Sequence, residues 1–194
     1  IWETFEAANA DRTIVTVAQL AAAQRMAESV LEKWRPRAGD RVEQVITWTD
    51  KETGLRCKGR VDCFGAVLTE LKTARDIACS SMSKQMHNFD YHCQLAHYRS
   101  GVGGDLPCQI VGVEALAPHD SAIFEVDEEA LAYGDEEVRR LLRLVAECRA
   151  SGKWQGRYTQ PMLLELPSWV TDREESNLDE FGLESVSEEE SDDE

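Results

Sequence analysis

The stretch Val61-Asp62-Cys63-Phe64-Gly65-Ala66-Val67-Leu68-Thr69-Glu70-Leu71-Lys72 decides the fold. It reads as a tight β-hairpin with Asp62 on the first arm and Glu70-Leu71-Lys72 on the second. With the turn centred near Gly65-Ala66, Asp62 falls across from Glu70, and such cross-strand partners have Cβ atoms about 4.5–5.5 Å apart. Strand side chains alternate, so Glu70 and Lys72 share a face while Leu71 points the other way. Two carboxylates within reach of one ion suit Mg²⁺, and an adjacent ammonium can orient a water or offset developing negative charge. That set is a candidate for metal-assisted phosphodiester hydrolysis. The same pattern also fits the wet face of an ordinary edge strand, and the flanking sequence has to choose.

Upstream, Val42 to Asp50 alternates as a strand, Lys51-Glu52-Thr53-Gly54 supplies a turn, and Leu55 to Cys63 returns. On the returning strand Arg56, Lys58, Arg60 and Asp62 occupy one parity, with Cys57, Gly59, Val61 and Cys63 on the other. The charged parity is either a solvated face or a track for a phosphate backbone ending at the carboxylate pair. Further upstream, Thr16-Val17-Ala18-Gln19 is a capping box opening a packing helix to about Trp34.

Downstream, one helix is expected from Ser83 to Ser100, closed by Gly101. His87, Tyr91, Gln94 and Tyr98 recur on it at helical spacing as a polar-aromatic stripe, for packing or for a site. Pro107–Leu116 and Ala122–Val126 read as neighbouring antiparallel strands. Asp127 caps a helix expected to be interrupted at Gly134 and to restart at Asp135, with Val138, Leu141, Leu142, Val145 and Cys148 facing the core.

The charge is −16 over 194 residues, which argues against a polyanionic ligand until its distribution is considered. Residues 172–194 hold 12 Asp or Glu against one Arg, leaving −5 for residues 1–171. The division expected is a domain over 1–171 and a disordered acidic tail over 172–194. That tail is either solubilising, or a lure for a basic partner, or a mimic of DNA. No apolar run reaches 18 residues, so no membrane span is expected. Six cysteines without a C-x-x-C pair suggest neither a zinc nor an iron–sulfur site, and point to a reduced, cytoplasmic protein. The four histidines show no familiar metal-ligand spacing. P-loop, dinucleotide and nucleophile-elbow motifs are absent.

Taken together, Gly54-Leu55-Arg56-Cys57-Lys58-Gly59-Arg60-Val61-Asp62, Glu70-Leu71-Lys72-Thr73 and Tyr91-His92-x-Gln94-x-x-x-Tyr98 resemble the PD-(D/E)xK nuclease superfamily. Within it they are similar to the RecE group (exonuclease VIII) of phage-type recombination. Gly152-Lys153-Trp154 and Leu166-Pro167-Ser168-Trp169 also look like that group. The resemblance implies an α/β (α+β) restriction-endonuclease-like core with a mixed central sheet flanked by helices. It implies a metal-dependent 5′-to-3′ exonuclease on linear double-stranded DNA, leaving 3′ single strands for a RecT-type annealing protein. Mg²⁺ is the implied cofactor, with Mn²⁺ able to substitute, and a homo-oligomeric ring around DNA is the implied assembly.

By resemblance, Asp62 and Glu70 match the metal-binding carboxylates, the Leu71 carbonyl a backbone ligand, and Lys72 the lysine that positions the attacking water. Gln94 and Tyr98 match the helix motif beside the site, with contact to DNA near the scissile phosphate. Tyr91 joins them as a DNA-binding candidate, together with Arg56, Lys58 and Arg60. The RecE group places a metal-coordinating His upstream of everything present here, and position 1 is Ile. A missing N-terminal segment is therefore expected. The alternatives are a weak or inactive DNA-binding relative, or an endonuclease on the same fold.

Overall fold

The computed structural model describes residues 2–156 and 158–167. The chain divides into two units, Ile1–Gly152 and Lys153–Glu194. In the second, the described residues form neither helix nor strand, and the expected acidic tail lies outside the described residues.

The first unit opens with α1 (Trp2–Ala8) and α2 (Val17–Lys33). Thr16 caps α2 in the expected box: its hydroxyl accepts from Gln19 N, and the Gln19 side chain accepts from Thr16 N at 2.8 Å. Strands β1 (Arg41–Thr49), β2 (Arg56–Phe64) and β3 (Leu68–Ala74) follow as an antiparallel meander. Helices α3 (Cys79–Asn88) and α4 (Tyr91–Val102) then carry the chain across to β4 (Cys108–Glu114), which pairs parallel to β3. A parallel neighbour needs such a crossover. β5 (Ser121–Val126) returns antiparallel to β4, and α5 (Glu128–Ser151) closes the unit. The result is a mixed five-stranded sheet in the order β1-β2-β3-β4-β5 with helices on both faces. No helix among the described residues is long and apolar enough to cross a membrane.

The two faces of the sheet have separate cores. Leu68, Cys108 and Ile110 alternate onto the face covered by α4 and α5, where Val61, Phe64, Leu95 and Leu131 join them. Val111 and Val113 point the other way, onto Val30, Met26 and Trp34 of the α2 segment. Full burial of a Leu or Val side chain contributes about 1.5–3 kcal/mol, so these two layers pin the sheet between helices.

Two expectations require correction. The helix expected over Ser83–Ser100 is two helices. The chain breaks at Phe89-Asp90, where Asp90 takes a left-handed backbone (φ 54°). Asn88 and Asp90 are residues whose short polar side chains favour such turns over helix interior. Conversely, α5 runs unbroken through Gly134 for 24 residues. Gly134 is there for contact: a Cβ on it would stand 2.6 Å from the His92 carbonyl oxygen and 2.9 Å from Cys93 N. Glycine lets α5 lie directly on the backbone of α4.

Candidate active site

The hairpin β2–β3 forms with the expected register, pairing Phe64 with Leu68 and Cys63 with Thr69. That register puts Asp62 opposite Glu70, and there the side chains take over from the ladder. Asp62 N donates to Glu70 Oε1 at 3.4 Å, and Leu71 N donates to Asp62 Oδ2 at 2.8 Å. The β1 ladder also skips here. Val42 pairs with Cys63 and Gln44 with Val61, while Glu43 between them has φ 52°. β2 is therefore irregular on both sides of Asp62.

Glu70 is 2% exposed, yet carries a carboxylate. Its neighbours make a continuous polar chain. Lys72 Nζ donates to Glu70 Oε2 at 3.1 Å and to Gln94 Oε1 at 2.9 Å, while Gln94 Nε2 donates to Tyr98 Oη at 3.2 Å. Both ends of the Gln94 amide are thus used, which fixes its orientation. The Tyr91 ring lies beneath the Lys72 ammonium, 5.0 Å from nitrogen to centroid. Burial pushes the Glu70 carboxyl above its ordinary pKa, the Asp62 charge adds to the rise, and Lys72 opposes it.

The basic strip lies elsewhere. A Cβ on Gly59 would meet Tyr98 Cε1 at 2.6 Å, and Val61 packs in the core with Leu95, so this parity of β2 faces α4. Arg56, Lys58 and Arg60 therefore project from the opposite face of the sheet to Glu70, Lys72, Gln94 and Tyr98. They are exposed, and Arg60 is ion-paired with Glu43. The expectation that this strip leads along one face to the carboxylate pair is corrected by the irregularity at Asp62. Val61 and Phe64, an odd number of residues apart, enter the same core cluster, so strict alternation fails between them.

The structure brings Asp62, Glu70, Lys72, Gln94, Tyr98 and Tyr91 together and leaves Arg56, Lys58 and Arg60 out. His87 leaves the expected stripe because it stands on α3. The Leu71 side chain turns away, 41% exposed, and only its backbone belongs to the site. A second donor cluster, Asp90, His92 and Cys93, lies at the start of α4. Sequence reading missed it because no spacing of the familiar zinc kind is present; the D-x-H-C run at the helix break was the available signal.

Residues 4–160 match the family described as "PDDEXK-like domain of unknown function (DUF3799)". The chain belongs to this family. A crystal structure of a Eubacterium rectale protein described as a candidate exonuclease shares the fold. It is 16% identical, with a TM-score of 0.51, and the match covers 87% of this chain and 72% of that one. The structure of SSO0001 is 21% identical over 67% of this chain and 64% of its own, with a TM-score of 0.37. No curated protein matches the sequence. Within the matched residues, Asp62, Glu70 and Lys72 stand in the order and spacing D-x7-E-x-K.

The donor set fits a hard cation. Two carboxylates face one ammonium, and the desolvation of the buried one is opposed by Lys72 and by the Asp62 N–H. Such a pair is relieved by a divalent ion with oxygen ligands.

Proposed function

We propose that this domain is a metal-dependent deoxyribonuclease acting as a 5′-to-3′ exonuclease on linear double-stranded DNA. The observation that carries the reading is the buried Glu70 carboxylate, opposite Asp62 and bonded to Lys72, inside a PDDEXK-like fold. The fold likeness to a candidate exonuclease supports an end-directed activity over an internal one. Asp62, Glu70 and the Leu71 carbonyl would hold Mg²⁺, or Mn²⁺ in its place. When bound, that ion supplies Lewis-acid stabilisation of charge developing on the phosphate.

The chain's own residues do the rest. Lys72 presents an ammonium at the mouth of the carboxylate pair, where it orients the attacking water and offsets negative charge. Gln94 holds that ammonium through its carbonyl oxygen, and Tyr91 holds it from below through its ring. Tyr98 accepts from Gln94 and so keeps its own O–H to donate, which suits a phosphate oxygen near the scissile bond. Arg56, Lys58 and Arg60 can contact phosphates only from the far face of the hairpin. Their contribution is to duplex affinity and its salt dependence rather than to chemistry.

The product, a 3′ single strand, is the substrate of a RecT-type annealing partner, and a homo-oligomeric ring would keep the enzyme on its DNA. The test is digestion of linear 5′-phosphorylated duplex with Mg²⁺, beside Lys72→Ala and a closed-circular control. Loss of linear DNA alone, dependent on Lys72, is the expected result. Equal cutting of the circle would make it an endonuclease, and equal digestion by Lys72→Ala would remove the site from the hairpin.

A further inference from the structure

We propose that Asp90, His92 and Cys93 form a second metal site, of the zinc class, at the joint between α3 and α4. It is separate from the carboxylate pair and does not rest on the nuclease reading. One donor atom from each of the three residues lies within 4.8 Å of the other two. His92 and Cys93 are buried, at 6% and 8% exposure, and Asp90 faces solvent, so the cluster has a built interior and an open side.

Three features suit a bound ion. The first is separation. Cys93 Sγ stands 3.5 Å from His92 Nε2. Sulfur and nitrogen bound to one tetrahedral zinc, at about 2.3 and 2.0–2.1 Å, are about 3.5 Å apart. The second is tautomer. His92 Nδ1 lies 3.1 Å from the Met86 carbonyl oxygen, which can only accept. Nδ1 therefore carries the proton, and the Nε2 lone pair is turned toward Cys93. A backbone carbonyl holding the far nitrogen is how a ligating histidine is usually oriented. The third is Asp90. It occupies the N-cap of α4, where an aspartate normally accepts from the first turn, yet its side chain makes no capping bond. Asp127 at the start of α5 does cap, through Ala130 N. Asp90 instead spends a left-handed backbone to put its carboxylate beside the two buried donors.

Thiolate and imidazole donors select zinc over magnesium, so the two sites would load different metals. Binding releases the Cys93 thiol proton to solvent. Of the three ligands His92 alone lines a neighbouring cavity of about 370 Å³, with Met86, His87, Asp127, Glu129 and Tyr133, and the exposed side at Asp90 leaves the fourth position to water. All three ligands belong to α4 and its N-cap, and α5 lies on the His92 and Cys93 backbone through Gly134, so the ion would fix the first turn of α4 against a rigid wall. Tyr91 and Gln94, which both hold Lys72, flank the ligands in sequence.

Co²⁺ titration of the reduced full chain tests this. The expected spectrum shows tetrahedral cobalt with a thiolate charge-transfer band, saturating at one ion per chain, displaced by Zn²⁺ and unmoved by excess Mg²⁺. Cys93→Ser should lose the charge-transfer band, while Cys79→Ser and Glu70→Gln should keep it. Asp90→Asn, at the surface, covers the case in which Cys93→Ser fails to fold, and should bind Co²⁺ more weakly than wild type. Absence of the band in the wild-type chain, its survival in Cys93→Ser, or unchanged affinity in Asp90→Asn would each overturn the site.

Discussion

Lys72 Nζ and Gln94 Oε1 are 2.9 Å apart, joining the last strand of the hairpin to α4 through one charge-assisted hydrogen bond. The lysine comes from a sheet and the glutamine from a helix 22 residues later, so their meeting reports the packing of α4 across β3. Lys72→Ala should lower cleavage by about 10²–10⁴-fold, the usual range for a group acting on the proton or charge of the reacting centre. Gln94→Ala should cost less, because Tyr91 and Glu70 still hold the ammonium. Single-turnover rates on linear duplex, with folding checked by circular dichroism, separate the two.

Glu70→Gln should abolish activity and yet raise the melting temperature in chelator. Burial raises the Glu70 pKa above its ordinary 4.5, so the folded state binds this proton more tightly than the unfolded chain. The stability it contributes is fully present below that ordinary value and is lost as pH rises through the folded value. At neutral pH the ionised group is a net cost, and glutamine removes it. Melting curves in EDTA from acid to neutral pH check the sign. The wild type should lose stability across this window relative to Glu70→Gln.

Tyr91 should act through Lys72. A cation over an aromatic face is worth about 0.5–2 kcal/mol, so Tyr91→Leu should reduce kcat by about twofold to about 30-fold. Tyr91→Phe keeps the ring and should retain nearly full kcat. A change in KM alone for both variants would instead make Tyr91 a DNA contact.

Gly134→Ala should destabilise the domain although alanine is the better helix former. The propensity gain is about 1 kcal/mol, whereas forcing a methyl against the His92 carbonyl at 2.6 Å costs about 1–3 kcal/mol and separates two helices. Urea denaturation of the variant should show a lower midpoint at unchanged slope.

Thiol reactivity should follow burial. All six cysteines are free, with Cys79 exposed and Cys63, Cys93 and Cys108 buried. Burial pushes the Cys108 thiol up to about 11, so it stays protonated and inert. Mass mapping after brief alkylation should find Cys79 first and Cys108 last, the latter only on unfolding.

Local information fixed what is local in this protein. The capping box at Thr16, the hairpin centred on Gly65-Ala66 and the opposition of Asp62 to Glu70 follow from spacing, because turn chemistry and strand period act over a few residues. What neighbours decide was not legible. Asp90 breaks a helix that periodicity would continue, and Gly134 continues one that composition would break, because α4 and α5 meet backbone to backbone. The parity of β2 predicted one basic face running into Asp62, but only packing shows that Gly59 and Val61 turn toward α4. Asp62 is where that parity fails, its side chain and that of Glu70 replacing ladder bonds. The burial of Glu70 and the three-sided hold on Lys72 exist only once α4 crosses the sheet. The chemistry was written in residue types, and the tertiary structure chose which of them could meet.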